Sequence, residues 1–305
     1  MDRFENLKTF VTVIESGSFS SAAAKLECAK SVVSRRIGEL EAHLGVQLLT
    51  RTTRRQNLTD SGRVFYPRAK QILQELEDAE QGLIQSQGAL RGRIRFTSPL
   101  SFGLGHLMPL ITAFSTEHSD VELDISFNDD EVDIIKEGFD LALRIGRLVD
   151  STLIAKKLTD INMVVCASPD YLERHGTPSD PHELVQHQGL HYSRSADRQH
   201  WRFTDPQGTA YSVKVPSRLR SDNGDALVQA AVAGLGVLIT PTFIAYRELA
   251  AGQLRPLLTD HPLAPVGLYI VYPSREHQPR RVRALIDYLS RHICQQPYWE
   301  STHSA

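Results

Sequence analysis

AAAKLECAKSVVSRRIGELEAHLGVQLLTRTTRR, residues 22–55, brings three groups of arginines and two helical apolar patterns together. Its leading alanines are small enough for close approach by another helix, and Ser20 is placed to cap the helix that carries them. The pattern lapses after Leu26. It resumes with Val33, Ile37, Leu40 and Leu44 at helical steps, so Glu27-Cys28-Ala29 reads as a turn between two helices, and Gly45 ends the second. Upstream, Leu7, Phe10, Val11 and Ile14 form a further apolar stripe that Gly17 stops. A short alanine-rich helix, a three-residue turn and a longer helix make a helix-turn-helix. The inward stripe of the longer helix leaves Lys30, Ser31, Ser34, Arg35 and Arg36 near its start on other faces, where a recognition helix meets base edges and phosphates. After Gly45, VQLLTRTTRRQNLT reads as two short strands around a tight turn. Arg51, Arg54 and Arg55 at its tip make a basic wing able to follow phosphates or enter a minor groove.

The charge distribution agrees. The chain has 34 Lys/Arg and 36 Asp/Glu in 305 residues; residues 1–63 hold ten and seven of them, leaving about +3 there and about −5 elsewhere. A basic end on a mildly acidic body points to a polyanion partner at that end alone. Hydrophobic content of 41% and charged content of 23% are those of an ordinary globular protein, and the length calls for two or three domains. Asp2, Arg3, Glu5, Lys8 and Glu15 break the first residues too often for an export signal, and no run is long and apolar enough for a membrane helix. Three scattered cysteines, Cys28, Cys166 and Cys294, fit a reducing cytoplasm better than a disulfide framework.

The pattern AAxxLxxxxSxVSRRIxxLExxLGxxLLxRTTRRxxLTxxG, ending at Gly62, resembles the winged helix-turn-helix of LysR-type transcriptional regulators. The matching residues include Ser34, Arg35, Ile37, Leu40, Glu41, Leu44, Gly45, Leu48, Leu49, Arg51, Thr59 and Gly62. Lys30 stands where relatives often have Gln. Thr59 is a good cap for a helix running to about Gln87, in which Phe65, Ala69, Ile72, Leu76, Ala79 and Leu83 alternate steps of four and three. This seam, with Phe65, Ile72, Leu76 and Leu83 as its anchors, reads as a contact with a second copy. Packing on its own domain is the alternative. The resemblance implies the subunit-pairing linker helix of the family.

From Arg91 onward, strand-like RIRFTSP, VELDISF, DLALRI, MVVCASP, GLGVLITP and LYIVYPS alternate with helical segments, which predicts a parallel or mostly parallel α/β sheet. SPLSFG, KEGFDLALRIG, LIAKKL, CASPDYLERHGTP and YPSREHQPRRVRALIDYL resemble the effector domain of the same family. The resemblance implies a two-lobed fold of the periplasmic-binding-protein kind. The whole would be a winged helix-turn-helix over 1–58, a linker helix over 59–90 and an effector domain over 91–305. Lobe 1 is 91–161 with 268–305, and lobe 2 is 162–267.

In open α/β sheets a ligand sits beyond the carboxyl ends of strands. That edge receives Ser98, Leu100 and Ser101 from one lobe; Asp222, Asn223 and Gly224 open a helix in the other. Two helix starts facing one cleft would favour an anionic or polar ligand, although plain helix capping also accounts for these residues. The resemblance adds Asn128, Asp129, Ile145, Gly146, Ser168, Tyr192, Ser193, Thr240 and Pro241 to the cleft. Arg144 and Arg147 are candidates to pair with a carboxylate ligand or to form structural ion pairs. The implied partners are promoter DNA, a small-molecule effector such as an anionic or aromatic metabolite, further copies of the chain as dimer or tetramer, and RNA polymerase. No membrane and no cofactor are implied, and the setting is the bacterial cytoplasm and its nucleoid.

Enzyme chemistry finds little support. No GxSxG, HExxH, GxxxxGK[ST] or CxxC occurs. His182, His187 and His191 lie close in sequence but read as surface histidines rather than metal ligands. AGLGV, after a helix and before a strand, is a helix-ending turn and not a dinucleotide fingerprint. Cys28 and Cys166 read as free buried cysteines, with redox sensing the alternative. A binding protein whose N-terminal module only dimerises is a rival that the arginines of the wing oppose.

Overall fold

The computed structural model of the chain describes residues 2–51, 56–84, 89–130, 132–146, 152–194, 199–205, 207–274, 278–293 and 297–303. It divides into two compact units. One comprises Met1–Leu90 with Glu131–Asp140 and His277–Arg280; the other comprises Arg91–Asp130, Leu141–Glu276 and Arg281–Ala305.

In the first unit, α1 (Arg3–Ser16) starts where the Asp2 carboxylate accepts from the backbone of Phe4 and Glu5, and stops at Gly17 in the left-handed region. α2 (Phe19–Lys25) is capped by Ser18 rather than Ser20, and the earlier start brings Phe19 against the core beside Ala22 and Ala23. α3 (Lys30–Leu44) follows the short turn and ends at Gly45, again left-handed. Val33, Ile37 and Leu40 are buried as their spacing predicts; Leu44, the last helical residue, is exposed because the core stops short of it. β1 (Leu49–Arg51) and β2 (Gln56–Leu58) pair antiparallel with Leu49 opposite Leu58, forming the expected wing. Its tip, with Arg54 and Arg55, lies outside the described residues, as does the Arg51 side chain.

Thr59 then caps α4 (Asp60–Ile84): its hydroxyl accepts from the Gly62 N–H at 3.0 Å and donates to the Gln47 carbonyl at 2.6 Å. The start of α4 belongs to this unit's core. Ala69 is fully buried with Phe10, Val33 and Ile37, and Phe65, Tyr66 and Leu73 pack against the same cluster. Phe65 is therefore not a free seam residue; its ring lies 5.7 Å from that of Phe10. Ile72, by contrast, is 44% exposed, and Leu76 is partly so. The Leu83 side chain lies outside the described residues.

The rest of the chain runs β3 (Gly92–Ser98), α5 (Leu100–Phe102), a π turn (Gly103–Leu107), α6 (Met108–Glu117), β4 (Val121–Phe127), α7 (Ile134–Glu137), β5 (Leu141–Gly146), β6 (Leu153–Ile161), β7 (Met163–Ala167) and α8 (Pro169–His175). Then come β8 (Gly189–Tyr192), β9 (His200–Thr204), β10 (Ala210–Lys214), β11 (Ser217–Ser221), α9 (Gly224–Val232), β12 (Val237–Pro241), α10 (Thr242–Ala250), β13 (Arg255–Leu257), β14 (Val266–Pro273) and α11 (Arg280–His292). Two five-stranded sheets result, in the orders β4-β3-β5-β14-β6 and β11-β8-β12-β7-β13.

Both sheets are mixed, which corrects the expectation of a mostly parallel one. β3 runs parallel to β4 and β5, and β8 to β11 and β12. β14 is antiparallel to β5 and β6, and β7 to β12 and β13. β14 returns from the other sheet without the helical crossover that a parallel partner requires. Two chain passages join the sheets: the single residue Asn162 between β6 and β7, and 258–265 between β13 and β14. The sequence reading missed the β9–β10 hairpin, whose Trp201, Phe203 and Val213 cover the second sheet's core.

Candidate nucleic-acid interface and effector cleft

α3 begins at Lys30 with no side chain capping it at Ala29, and Lys30, Ser31, Ser34 and Arg35 are exposed. Arg35 reaches only Glu39, one turn on, at 3.9 Å, and its side chain is 69% exposed, so it can turn outward. Arg36 points the other way. Its guanidinium is 2.9 Å from Glu5 and 3.4 Å from the Thr9 hydroxyl on α1, and only 23% exposed. It ties α3 to α1 and so stands apart from the exposed set: one residue after Arg35 is a rotation of about 100° around the helix, toward α1.

The wing is fixed to α3 by a carboxylate. Glu41 accepts from the backbone N–H groups of both Leu48 and Leu49, at 2.8 and 3.1 Å, joining α3 to β1. Gly62 completes the join, because α4 passes directly under the Leu48 carbonyl.

In the second unit the predicted cleft residues divide. Several from the two sheets do meet. The Leu100 N–H donates to Asp129 at 3.0 Å, and the Asn128 N–H donates to the Ser98 carbonyl at 3.0 Å. The Ser101 hydroxyl donates to Asp225 at the start of α9. Arg194 bridges Asp130, after β4, and Asp222, after β11. Tyr192 stands close enough to Asp129 and Asp222 that they reinforce the effect of burial, which is the main cause of a phenol pKa pushed up to about 12. Ser193 follows, with its N–H on the Ser221 carbonyl.

The remaining candidates have structural tasks. Asn223 caps α9 through Ala226, and Ser168 caps α8 through Tyr171. Gly224 packs against Ile244, where a Cβ would meet Cδ1 at 2.5 Å. Ile145 and Gly146 end β5 opposite Leu268 and Gly267, while Thr240 and Pro241 pair with Val164 and Met163. Arg147 lies outside the described residues.

The electrostatics bear on the expected anionic or polar ligand. Both helix starts already have oxygen partners, Asp129 for Leu100 and Asn223 for Ala226. Asp129, Asp130, Asp222 and Asp225 gather there, and the Arg194 guanidinium bridges two of them. Sequence reading missed Asp130, Arg194 and Asp225, since no local pattern links them. His187 and His191 are buried rather than surface-placed: His187 Nδ1 contacts the Tyr171 hydroxyl at 3.2 Å, and the Trp201 indole N–H donates to His191 Nδ1 at 3.3 Å. Among the described residues no His, Cys, Asp or Glu cluster is arranged to hold a metal, and no helix is long and apolar enough to cross a membrane.

Residues 4–63 match the family model for bacterial regulatory helix-turn-helix proteins of the lysR family, and residues 87–293 match that of the LysR substrate binding domain. The chain is 36% identical to the HTH-type transcriptional regulator PtxR of Pseudomonas aeruginosa, over 96% of this chain and 94% of that one. It is 36% identical to the regulator CrgA of Neisseria meningitidis, over 93% and 95%. The solved structure of CrgA superposes with a TM-score of 0.61 at 35% identity, covering 95% of this chain and 98% of that one. The full-length virulence activator AphB of Vibrio cholerae does so at 0.60 and 29% identity, covering 96% and 100%. Winged reading head, mixed two-sheet body and matched relatives over nearly the whole length agree: this chain belongs to the LysR family of helix-turn-helix transcriptional regulators.

Proposed function

We propose that this regulator reads a promoter through Lys30, Ser31, Ser34 and Arg35 on α3 and through Arg51, Arg54 and Arg55 of the wing, as a cytoplasmic, non-enzymatic protein. The observation that carries this reading is the exposed, uncapped start of α3 locked to the wing by Glu41. Two copies pair through the exposed side of α4 around Ile72, and two such pairs make a tetramer. A small molecule entering near Ser98, Ser101, Asp129, Tyr192 and Asp222 shifts the balance between arrangements of the assembly, because a ligand acts only through its differential affinity for two states. The carboxylates there suit a ligand that presents hydrogen-bond donors or positive charge. RNA polymerase reads the outcome at the promoter.

The test is a footprint on the chain's own promoter region across a salt series, with and without a panel of amines, amino acids and organic acids. Five clustered cations at one DNA face should give binding that falls steeply with salt. Salt-independent binding, or none, removes the reading.

A further inference from the structure

Asn162 is the whole of one of the two passages between the sheets, and its polar groups are engaged. Its N–H and its side-chain amide both donate to the Glu300 carboxylate, at 3.3 and 3.0 Å. Its carbonyl accepts from the Thr242 N–H at 2.9 Å. The Thr242 hydroxyl, with one hydrogen to give, lies 2.6 Å from Glu300 and 3.1 Å from the Asn162 carbonyl. Glu300 therefore holds both the passage and the first residue of α10.

Glu300 belongs to a short 3-10 turn, Tyr298–His303, near the chain's end. The turn is anchored by aromatic packing. Trp299 is 4% exposed, with its ring centroid 4.5 Å from His106, 5.1 Å from Tyr298 and 5.9 Å from Phe102. His106 sits in the π turn that follows β3 of the first sheet. Its Nε2–H donates to the Phe243 carbonyl of α10 at 2.9 Å, and its Nδ1 accepts from the Tyr298 hydroxyl at 2.5 Å. One six-residue stretch thus touches an element following the first sheet, an element following the second, and the residue that joins them.

We propose that the C-terminal turn Tyr298–His303 is a strap over the passage at Asn162, restraining how far the two lobes move and so setting the strength of the effector response. The inference rests on reading the two-sheet unit as the effector domain. Hinges are a few element-terminal residues that absorb the change in backbone angles, and Asn162 is such a residue, here held by Glu300 and Thr242. Releasing it leaves 258–265 as the only other covalent restraint between the sheets.

Hydrogen exchange on the full-length protein tests this, comparing wild type with Glu300→Gln, Trp299→Ala and Tyr298→Phe. The informative amides are those of Leu100 and Ala226, which face the cleft and touch no strap residue. A strap predicts that their exchange rises at least about fivefold in Glu300→Gln and Trp299→Ala, while Leu172 and Gly176 at α8 stay unchanged. Faster exchange confined to residues 162, 242 and 298–303 overturns the proposal and leaves a local tether. Uniformly faster exchange in Trp299→Ala marks general destabilisation, and Glu300→Gln and Tyr298→Phe then decide: wild-type exchange at Leu100 and Ala226 in both overturns it. Promoter binding by the same wild-type sample is measured alongside. If binding is absent while the exchange pattern is as expected, the regulatory reading fails and the strap stands.

Discussion

The carbonyl oxygen of Leu48 occupies the place where a side chain on Gly62 would begin: a Cβ there would stand 2.1 Å from that oxygen and 2.9 Å from Leu58 Cδ2. The obstacle is backbone, so it cannot rotate aside. Gly62→Ala should push the wing off α4, lowering the stability of the reading unit by about 1–3 kcal/mol. Urea denaturation together with promoter affinity checks this; wild-type values for both would mean the approach is looser than this geometry.

Lys30 and Arg36 should fail in different ways. Lys30→Ala is expected to reduce the slope of log affinity against log salt by about 1. Arg36→Ala should leave that slope alone and lower stability by less than about 1 kcal/mol, because the Glu5 partner is substantially exposed. Filter binding over a salt series separates the two; a shallower slope for Arg36→Ala would return Arg36 to the DNA-facing set.

Burial holds His106 below the usual histidine range, with Arg247 adding to it and the Phe243 carbonyl and Asp225 opposing. His187 is lowered in the same way, burial first and His175 next, with Glu183 opposing. An unfolded chain binds protons near pH 6.5 that the folded unit refuses, so these groups favour folding above that pH and the benefit is lost as pH falls below it. The melting temperature should be level from about pH 7 to 8 and decline below about pH 6.5. His106→Leu should melt lower at neutral pH, having stranded the Tyr298 hydroxyl and Phe243 carbonyl, yet decline less in acid. An unaltered acid decline would place the sensitivity elsewhere.

Cys166 is fully buried, and burial, helped by Glu248, pushes its thiol up to about 12. It should resist iodoacetamide and peroxide in the native protein and react only on unfolding, whereas half-buried Cys28 should react first of the two. Peptide mapping after timed alkylation gives the order. Early modification of Cys166 would revive a sensing role.

Phe65→Asp and Ile72→Asp distinguish a domain core from a subunit contact. The first puts a charge beside Phe10 and should unfold the reading unit; the second should leave it folded and produce monomers in sedimentation. Folded dimers of Ile72→Asp at micromolar protein would move the subunit contact to another face.

Much of the reading head is legible because its constraints are short-range: small residues at Ala22 and Ala23, left-handed glycines at Gly17 and Gly45, a cap at Thr59. The heptad steps of α4 were legible too, but not their partner, since spacing cannot tell whether Phe65 meets Phe10 of its own chain or a residue of another. The inward turn of Arg36 and the Asp130–Arg194–Asp222 bridge depend on residues far apart in sequence. The histidines show the same limit from the other side: a polar, proline-bearing stretch looks like surface, yet His187 and His191 are covered once β8 enters the sheet.

Phe65, Ala69 and Leu73 root α4 in the cluster that also holds α1 and α3. Over about its first four turns, with Pro67 among them, the helix is therefore packed along the head. Torque applied beyond Leu73 reaches α3 as rotation of the entire head, not as a bend at Thr59. On the proposed pairing through α4, two heads carried on such rods would act as a calliper, with the span of DNA between its points reset by movement distal to Leu73.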